Sequence, residues 1–284
     1  MREIEAAQFE ELHARRLGCW RQTPTTRLAG HADAPELIRR VGVATLYPAS
    51  PEVPDLFHAY MGDPNAKTEP QWNSPSGEVY SWRWTLGRAG VAFYGVLVRN
   101  RPTLVSWEAL PAVLRLCGET RTPDELYDAG ELSPSAYRVA QALERAGGAL
   151  STGALRQEAG FPTGKESRQA YLKAVDELDS LLLLAKVFAA DSDELSHALV
   201  AQRYPDQVAA AHLLTREQAW SHLLAAYLPN ATYVVPTVLA RHLKQPEAEL
   251  RAALDRVAQA GYAESVLLPG QKAACYMWRD SAAS

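Results

Sequence analysis

The clearest pattern with chemical potential in this 284-residue sequence is cationic. Lys165, Arg168, Gln169 and Lys173 recur at i, i+3, i+4 and i+8, a spacing that makes one continuous polar face on a helix. Lys165 and Arg168 stand in the first turns, where backbone N–H groups lacking helical partners add to the attraction for phosphate, and Gln169 has the donor and acceptor to read a base edge. An ordinary solvated face has the same spacing; Leu172, Val175 and Leu178 are expected on the opposite, buried side. A second concentration runs from Tyr80 to Leu114. There Trp82, Trp84, Phe93, Tyr94 and Trp107 alternate with Arg83, Arg88, Arg99 and Arg101, aromatic faces and fixed charge being the two ingredients of a nucleic-acid surface. Arginine stems also pack along rings inside ordinary cores, and the five aromatics are expected to build the core of this region.

Other chemistries are thinly represented. The seven histidines, His13, His31, His58, His197, His212, His222 and His242, show no H-x₃-H or HExxH spacing, so no metal site is expected. Cys19, Cys117 and Cys275 form no C-x-x-C pair and leave an odd number, which suggests neither a disulfide framework nor a zinc site. There is no G-x-S-x-G elbow, Walker loop or G-x-G-x-x-G, and no cofactor is implied.

The elements that must position these residues are clearest after Ser133. Ser133-Pro134 opens a helix through Ala146, stopped by Gly147-Gly148; Ser151 caps a short second helix; Thr163 caps a third from Gly164 to about Ser180. A β-prone run, Leu181 to Phe188, and a turn over residues 189–194 follow. The order recurs from Thr215: a helix through Leu228, Pro236 to Leu243, Pro246 to Ala260, then a hairpin turning at Pro269-Gly270-Gln271. Its third helix opens Pro246-Glu247-Ala248-Glu249, acids that suit the helix dipole and repel phosphate, and its hairpin offers only Lys272 and Arg279. Earlier in the chain, the spacing predicts an amphipathic helix over Ile4–Leu17, a helix capped by Asp33 and ended by Gly42, and a short one capped by Ser50 through Met61. A long loop over residues 61–78 follows, then a helix over Gly87–Val98, a strand over Thr103–Val105 and a helix capped by Ser106 through Leu116.

Composition sets the limits. With 47% hydrophobic and 22% charged residues the chain reads as an ordinary globular protein. A formal net charge of −4 argues against coating nucleic acid by bulk electrostatics and leaves only a local basic face. The N-terminus mixes acids and bases without an apolar signal region, and no uncharged run reaches membrane-spanning length. These features fit a cytoplasmic protein.

The run VGVATLYP…VPDLF, Val41 to Phe57, followed by WRW…AFYGVLVRNRPTLVSWEALPAVLRL, Trp82 to Leu116, resembles the AlkZ-related branch of the winged-helix DNA-binding superfamily, which also contains the AlkZ/YcaQ-type DNA glycosylases. The resemblance extends over most of the chain after about Asp33. It implies tandem winged-helix units and, in the glycosylase branch, a Gln-x-Gln or Gln-x-Asp pair that positions the hydrolytic water. The corresponding positions here are Thr45 and Tyr47, poor substitutes for a residue that must orient or deprotonate water. The expected architecture is mainly α with small β-hairpins, an α+β fold. Its parts are an N-terminal helix and connection (1–32) and three winged-helix units (33–118, 119–205 and 206–284). The expected function is binding of double-stranded DNA, related to repair, through Lys165, Arg168, Gln169, Lys173, Arg83, Arg88, Arg99 and Arg101, without base excision. The alternatives are an active glycosylase in which Asp55, Asp63 or Glu69 replaces the pair, and a scaffold contacting a protein partner through residues 206–284.

Overall fold

The computed structural model describes residues 1–190 and 194–279. Strand β1 (Arg2–Glu3) leads into helix α1 (Ala6–Cys19), which presents Phe9 and Leu12 to its neighbours at the expected spacing. Then come α2 (Ala34–Val41), β2 (Val43–Thr45), α3 (Leu56–Met61), α4 (Pro75–Arg88), β3 (Phe93–Val96) and β4 (Pro102–Val105). Helices α5 (Leu110–Cys117) and α6 (Pro123–Asp128) connect to α7 (Pro134–Ala146), β5 (Leu150–Ser151), α8 (Thr152–Glu158), α9 (Lys165–Ser180), β6 (Leu184–Phe188) and β7 (Leu195–Leu199). Two more, α10 (Val200–Arg203) and α11 (Pro205–Leu213), lead to α12 (Arg216–Ala231), β8 (Tyr233–Val234), α13 (Pro236–Leu243), α14 (Glu247–Gln259), β9 (Ala263–Leu267) and β10 (Cys275–Trp278).

The succession helix, strand, helix, helix, strand, strand thus occurs three times. The three small sheets are strung alike, β2-β4-β3, β5-β7-β6 and β8-β10-β9, with every one of these neighbours antiparallel. In the last sheet β1 adds a parallel edge to β9, so the N-terminus is stitched to the C-terminal repeat. The fold is mainly helical with small sheets, as the sequence implies.

Burial divides these repeats unequally. One large apolar cluster runs from Trp20 to Tyr276 and joins the first repeat to the last through α2, α4, α5, α12 and α14. The middle repeat builds its own, from Leu126, Val139, Leu143, Leu155, Tyr171, Leu178, Leu184 and their neighbours. A buried charge cluster ties α1 across the join. The Arg16 guanidinium donates to the carbonyls of Ala231 (2.6 Å), Pro51 (3.0 Å) and Tyr233, faces Glu52 at 3.3 Å and lies over the Tyr233 ring at 3.5 Å; the Tyr227 hydroxyl donates to the same carboxylate at 2.9 Å. A buried ion pair persists only when its remaining hydrogen-bonding capacity is met, as it is here.

Local chemistry overrode several sequence expectations. In place of a helix over Gly87–Val98 the chain ends α4 at Arg88 and forms β3, because Val79, Trp82 and Leu86 bury one face of a helix that starts at Pro75 inside the stretch expected to be a loop. Ser74 caps it, its Oγ accepting from the Gly77 N–H at 3.3 Å. The cap of α3 is Asp55 rather than Ser50, its Oδ1 accepting from the His58 N–H at 2.8 Å. Asp33 accepts from the Ala29 N–H instead of capping α2; Ser106 closes a turn onto the Ala109 N–H, so α5 begins only at Leu110; and α9 is preceded by Gly164, with no side-chain cap from Thr163. Helix α12 continues past Leu228 to Ala231, held by burial of both. The centre of the turn expected over 189–194 lies outside the described residues.

Candidate nucleic-acid interface and the adjoining groove

Helix α9 has the 16-residue length needed to separate an inner from an outer face. Tyr171, Ala174, Val175 and Leu178 point into the middle core, and Lys165, Arg168, Gln169 and Lys173 are all exposed. None of the three cations makes an ion pair with the described residues. The turn before them is pinned by Arg156, whose Nη2 donates to the carbonyls of Pro162 (2.6 Å) and Gly164 (3.2 Å), while the uncapped first turn keeps its N–H groups open. Leu172, expected on the inner side, is instead 45% exposed in the midst of the cations. The reason is geometric: it is i+3 from Gln169 and i+4 from Arg168, so it shares their face.

Of the acids at the far end of α9, Asp176 is exposed, while Glu177 and Asp179 are held within the fold. Glu177 accepts from the N–H and the hydroxyl of Ser133 at 2.7 and 2.6 Å, fixing the start of α7. Asp179 pairs with Lys186 of β6, and burial pushes its carboxyl up against that pull. His197, opposite Lys186 in the β6/β7 ladder, is buried and neutral, its pKa pushed down to about 3 by burial first and the Lys186 charge second.

In the first repeat the aromatics build core. Trp82, Phe93 and Tyr94 are buried; Trp84 and Trp107 are half-buried, against Phe188 (5.1 Å) and Tyr204 (5.1 Å). Helix α4 crosses β6 so closely that a Cβ at Gly87 would lie 2.2 Å from the Phe188 ring, so a larger residue there would require that ring to move. Arg83 is half-buried over the Tyr80 ring at 3.7 Å, and Arg88 donates to the Ala189 carbonyl at 3.0 Å. Arg99 and Arg101 are exposed in the β3–β4 turn, Arg99 donating to the Ala49 carbonyl at 3.2 Å. The eight basic and amide residues therefore fall into three groups: four together on α9, two on α4 among aromatics, and two in the β3–β4 turn.

Helix α14 occupies in the last repeat the place of α9 in the middle one. Its first-turn acids are held by the chain's own arginines, Glu247 by Arg251 (2.6 Å) and Glu249 by Arg216 (2.8 Å), and Arg251 holds the Glu247 carboxyl below its usual range. In the hairpin, Arg279 pairs with Glu264 at 3.3 Å.

At the positions of the expected catalytic pair, Thr45 is wholly buried in β2 and its hydroxyl donates to the Tyr47 carbonyl at 2.8 Å. The Tyr47 hydroxyl donates to the Ser76 carbonyl at 2.7 Å, and burial raises its pKa further. Neither group is set to take a proton from water. Of the three acids considered as replacements, Asp55 is buried with both oxygens engaged, by the His58 N–H, the His58 ring (2.9 Å) and Gln22 (3.4 Å). Asp63 closes a local turn onto the Asn65 N–H. Glu69 is exposed beside Tyr47 in an open hollow of about 640 Å³. His58, not singled out from sequence, forms the wall between that hollow and a cleft of about 690 Å³. Its ring nitrogens face two acceptors, Asp55 and the Ala66 carbonyl at 3.2 Å; burial opposes charge on the ring, and the two acceptors outweigh it and raise the pKa. Among the described residues no cluster of His, Cys, Asp and Glu could hold a metal, and no helix is long and apolar enough to cross a membrane.

The helix and sheet order is repeated three times, with basic and aromatic segments in the first two copies. A family model described as AlkZ related matches residues 28–196, more than half of the chain, and the chain belongs to that family. The solved structure of the Streptomyces sahachiroi DNA glycosylase AlkZ is similar over 93% of this chain and 69% of that one, with a TM-score of 0.56 and 13% identity, a likeness of fold. No curated protein matches the sequence.

Proposed function

We propose that this chain binds double-stranded DNA through α9 and does not excise bases. The observation that carries the reading is the face of Lys165, Arg168, Gln169 and Lys173, exposed and without internal partners on the third helix of its repeat. Helix, strand, helix, helix, strand, strand with a first-third-second sheet is the order of a winged helix, in which the third helix enters the major groove and the last two strands form the wing. Three such units, over 33–118, 119–205 and 206–284 after an N-terminal 1–32, account for the repeat. The similarity to a DNA glycosylase and the membership of its family support DNA, with a link to repair, as the setting. The acidic net charge restricts contact to this local face, and the last unit, with its acids turned inward to its own arginines, serves packing. In the quadruple alanine variant of Lys165, Arg168, Gln169 and Lys173, duplex affinity falls and the salt slope flattens by up to about 0.9 per lost phosphate contact, with the melting temperature unchanged. An unaltered slope removes α9 from the interface.

A second reading is favoured by the exposed Glu69 beside Tyr47: if any acid replaces the missing pair it is this one. Incubation with alkylated duplex separates the two. Release of free base that is abolished in Glu69→Gln establishes excision; an intact duplex keeps the first reading.

A further inference from the structure

Three hollows adjoin along the first repeat. The first, about 270 Å³, is walled by Tyr47, Trp72 and Tyr80. The second, about 640 Å³, shares Tyr47, Glu69 and Ser76 with it and adds Lys67 and His58. The third, about 690 Å³, shares Pro48 and His58 with the second and reaches Arg99. One end is therefore aromatic; toward the other stand the cations Lys67 and Arg99, with Glu69 between the ends and the Asp55 carboxylate already engaged by His58 and Gln22.

Trp72 is the unexplained residue. It is 73% exposed, so its ring does little for the core, yet its setting is fixed. The Glu69 N–H donates to the Ser76 hydroxyl at 2.9 Å, and the Ser74 hydroxyl donates to the Gln71 carbonyl at 2.6 Å. A Cβ at Gly77 would lie 2.0 Å from the Trp72 carbonyl oxygen, so only glycine lets this loop sit so close on α4. Tyr80 meets the Trp72 ring at 5.2 Å, nearly perpendicular, and is backed by the Arg83 guanidinium. At the other end Arg99 (φ 50°) and Asn100 (φ 58°) are consecutive left-handed residues that are not glycine, a conformation with a steric cost that fixes the turn carrying the Arg99 guanidinium.

We propose that this groove binds single-stranded DNA, an unpaired base stacking on Trp72 and the neighbouring phosphates lying toward Lys67 and Arg99. Aromatic faces in line with cations are what a single strand offers partners for, whereas the bases of a duplex keep their faces covered. The site is separate from α9 and does not depend on the duplex reading. A free nucleotide carries the same base and phosphate, and the experiment distinguishes it from a strand.

The test is anisotropy of a short labelled oligothymidylate and of a blunt duplex, with adenosine monophosphate as competitor. Trp72→Ala weakens the single strand about ten-fold or more, Trp72→Phe retains most of the binding, and Lys67→Gln with Arg99→Gln flattens its salt slope. All keep the wild-type melting temperature, and the quadruple α9 variant keeps single-strand binding. Wild-type affinity in Trp72→Ala overturns the proposal. So does loss of both ligands in the α9 variant, which places the strand on α9, and so does competition by the mononucleotide as strong as by the oligonucleotide, which makes the ligand a free nucleotide.

Discussion

Helices α9 and α14 stand at the same place in two repeats of one architecture and present opposite surfaces. On α9 the first turns carry Lys165, Arg168 and Gln169 outward; on α14 they carry Glu247 and Glu249, each bound to an arginine of the same chain. The cores beneath them differ in the same sense. Helix α14 belongs to the large cluster that joins the first and last repeats, whereas α9 rests on a core of its own. Position in the fold supplies a helix with an outward face; the side chains of its first turns decide whether that face stays open or closes on itself.

The largest effect expected from this contrast is on unfolding. Trp220 is buried on α12 in the large cluster that α14 shares, and Leu178 is buried on the inner face of α9 itself, in the middle core. Trp220→Ala should cost about 3–5 kcal/mol and Leu178→Ala about 2–5 kcal/mol. Hydrogen exchange should show the first variant loosening amides of both the first and last repeats and the second loosening those of the middle repeat alone. Uniform loosening in both variants would merge the two cores.

Next in size is a pH dependence centred on His197, on the α9 side. Because His197 has a folded pKa of about 3 against 6.5 in the unfolded chain, only the unfolded state takes up a proton between those values. Stability is therefore full above pH 6.5 and declines as pH falls toward 3. Each pH unit should remove roughly 1 kcal/mol from the middle repeat. Asp179 and Lys186 share the surroundings, and the slope attributable to the ring is the part that disappears in His197→Phe, followed by denaturation at a series of pH values.

How far this contrast was legible in the sequence depended on how local its signals are. Ser133-Pro134, Ser151, Gly147, Pro236, Pro246 and the Pro269-Gly270 turn are chemical punctuation readable over a few residues, and α7, α8, α13, α14 and the last hairpin formed where they indicate. Strands β2, β5 and β8, of two or three residues, are too short to show a period, so the unit expected over 33–118 rested on the family resemblance and not on the local pattern of its own residues. Ser74-Pro75 carried a start signal of the same kind as Ser133-Pro134, masked by the Gly, Asp and Asn around it. Asp55 and His58 are three residues apart, the one sequence trace of their pair; the meeting of Arg16 with Glu52 and Tyr227 left none, because it is made by tertiary packing.

A smaller effect should come from removing the acids of α14. Glu247→Ala with Glu249→Ala breaks two half-exposed ion pairs, each worth about 0–1 kcal/mol. Duplex binding should stay as it is, since the pairs leave little net field at that surface. A clear gain in duplex affinity would mean that α14 also faces DNA and is held off by its acids, which would dissolve the distinction between the two helices.

The smallest effect isolates one side chain. Leu172 is the residue whose sequence-based and observed positions disagree on α9, and at 45% exposure it shares the outward face with Arg168, Gln169 and Lys173. A surface substitution away from caps and buried partners changes stability by less than about 0.5 kcal/mol, so Leu172→Ala should leave the melting temperature where it was. If α9 meets DNA as proposed, Leu172 would add apolar contact there, of the kind a thymine methyl accepts in the major groove. Since it carries no charge, its loss should lower duplex affinity by a small factor and leave the salt slope intact, unlike any of the neighbouring cations. If Leu172→Ala instead destabilises like a core truncation, α9 is rotated relative to the face described here, and Lys165, Arg168, Gln169 and Lys173 no longer form a single outward surface to set against the acids of α14.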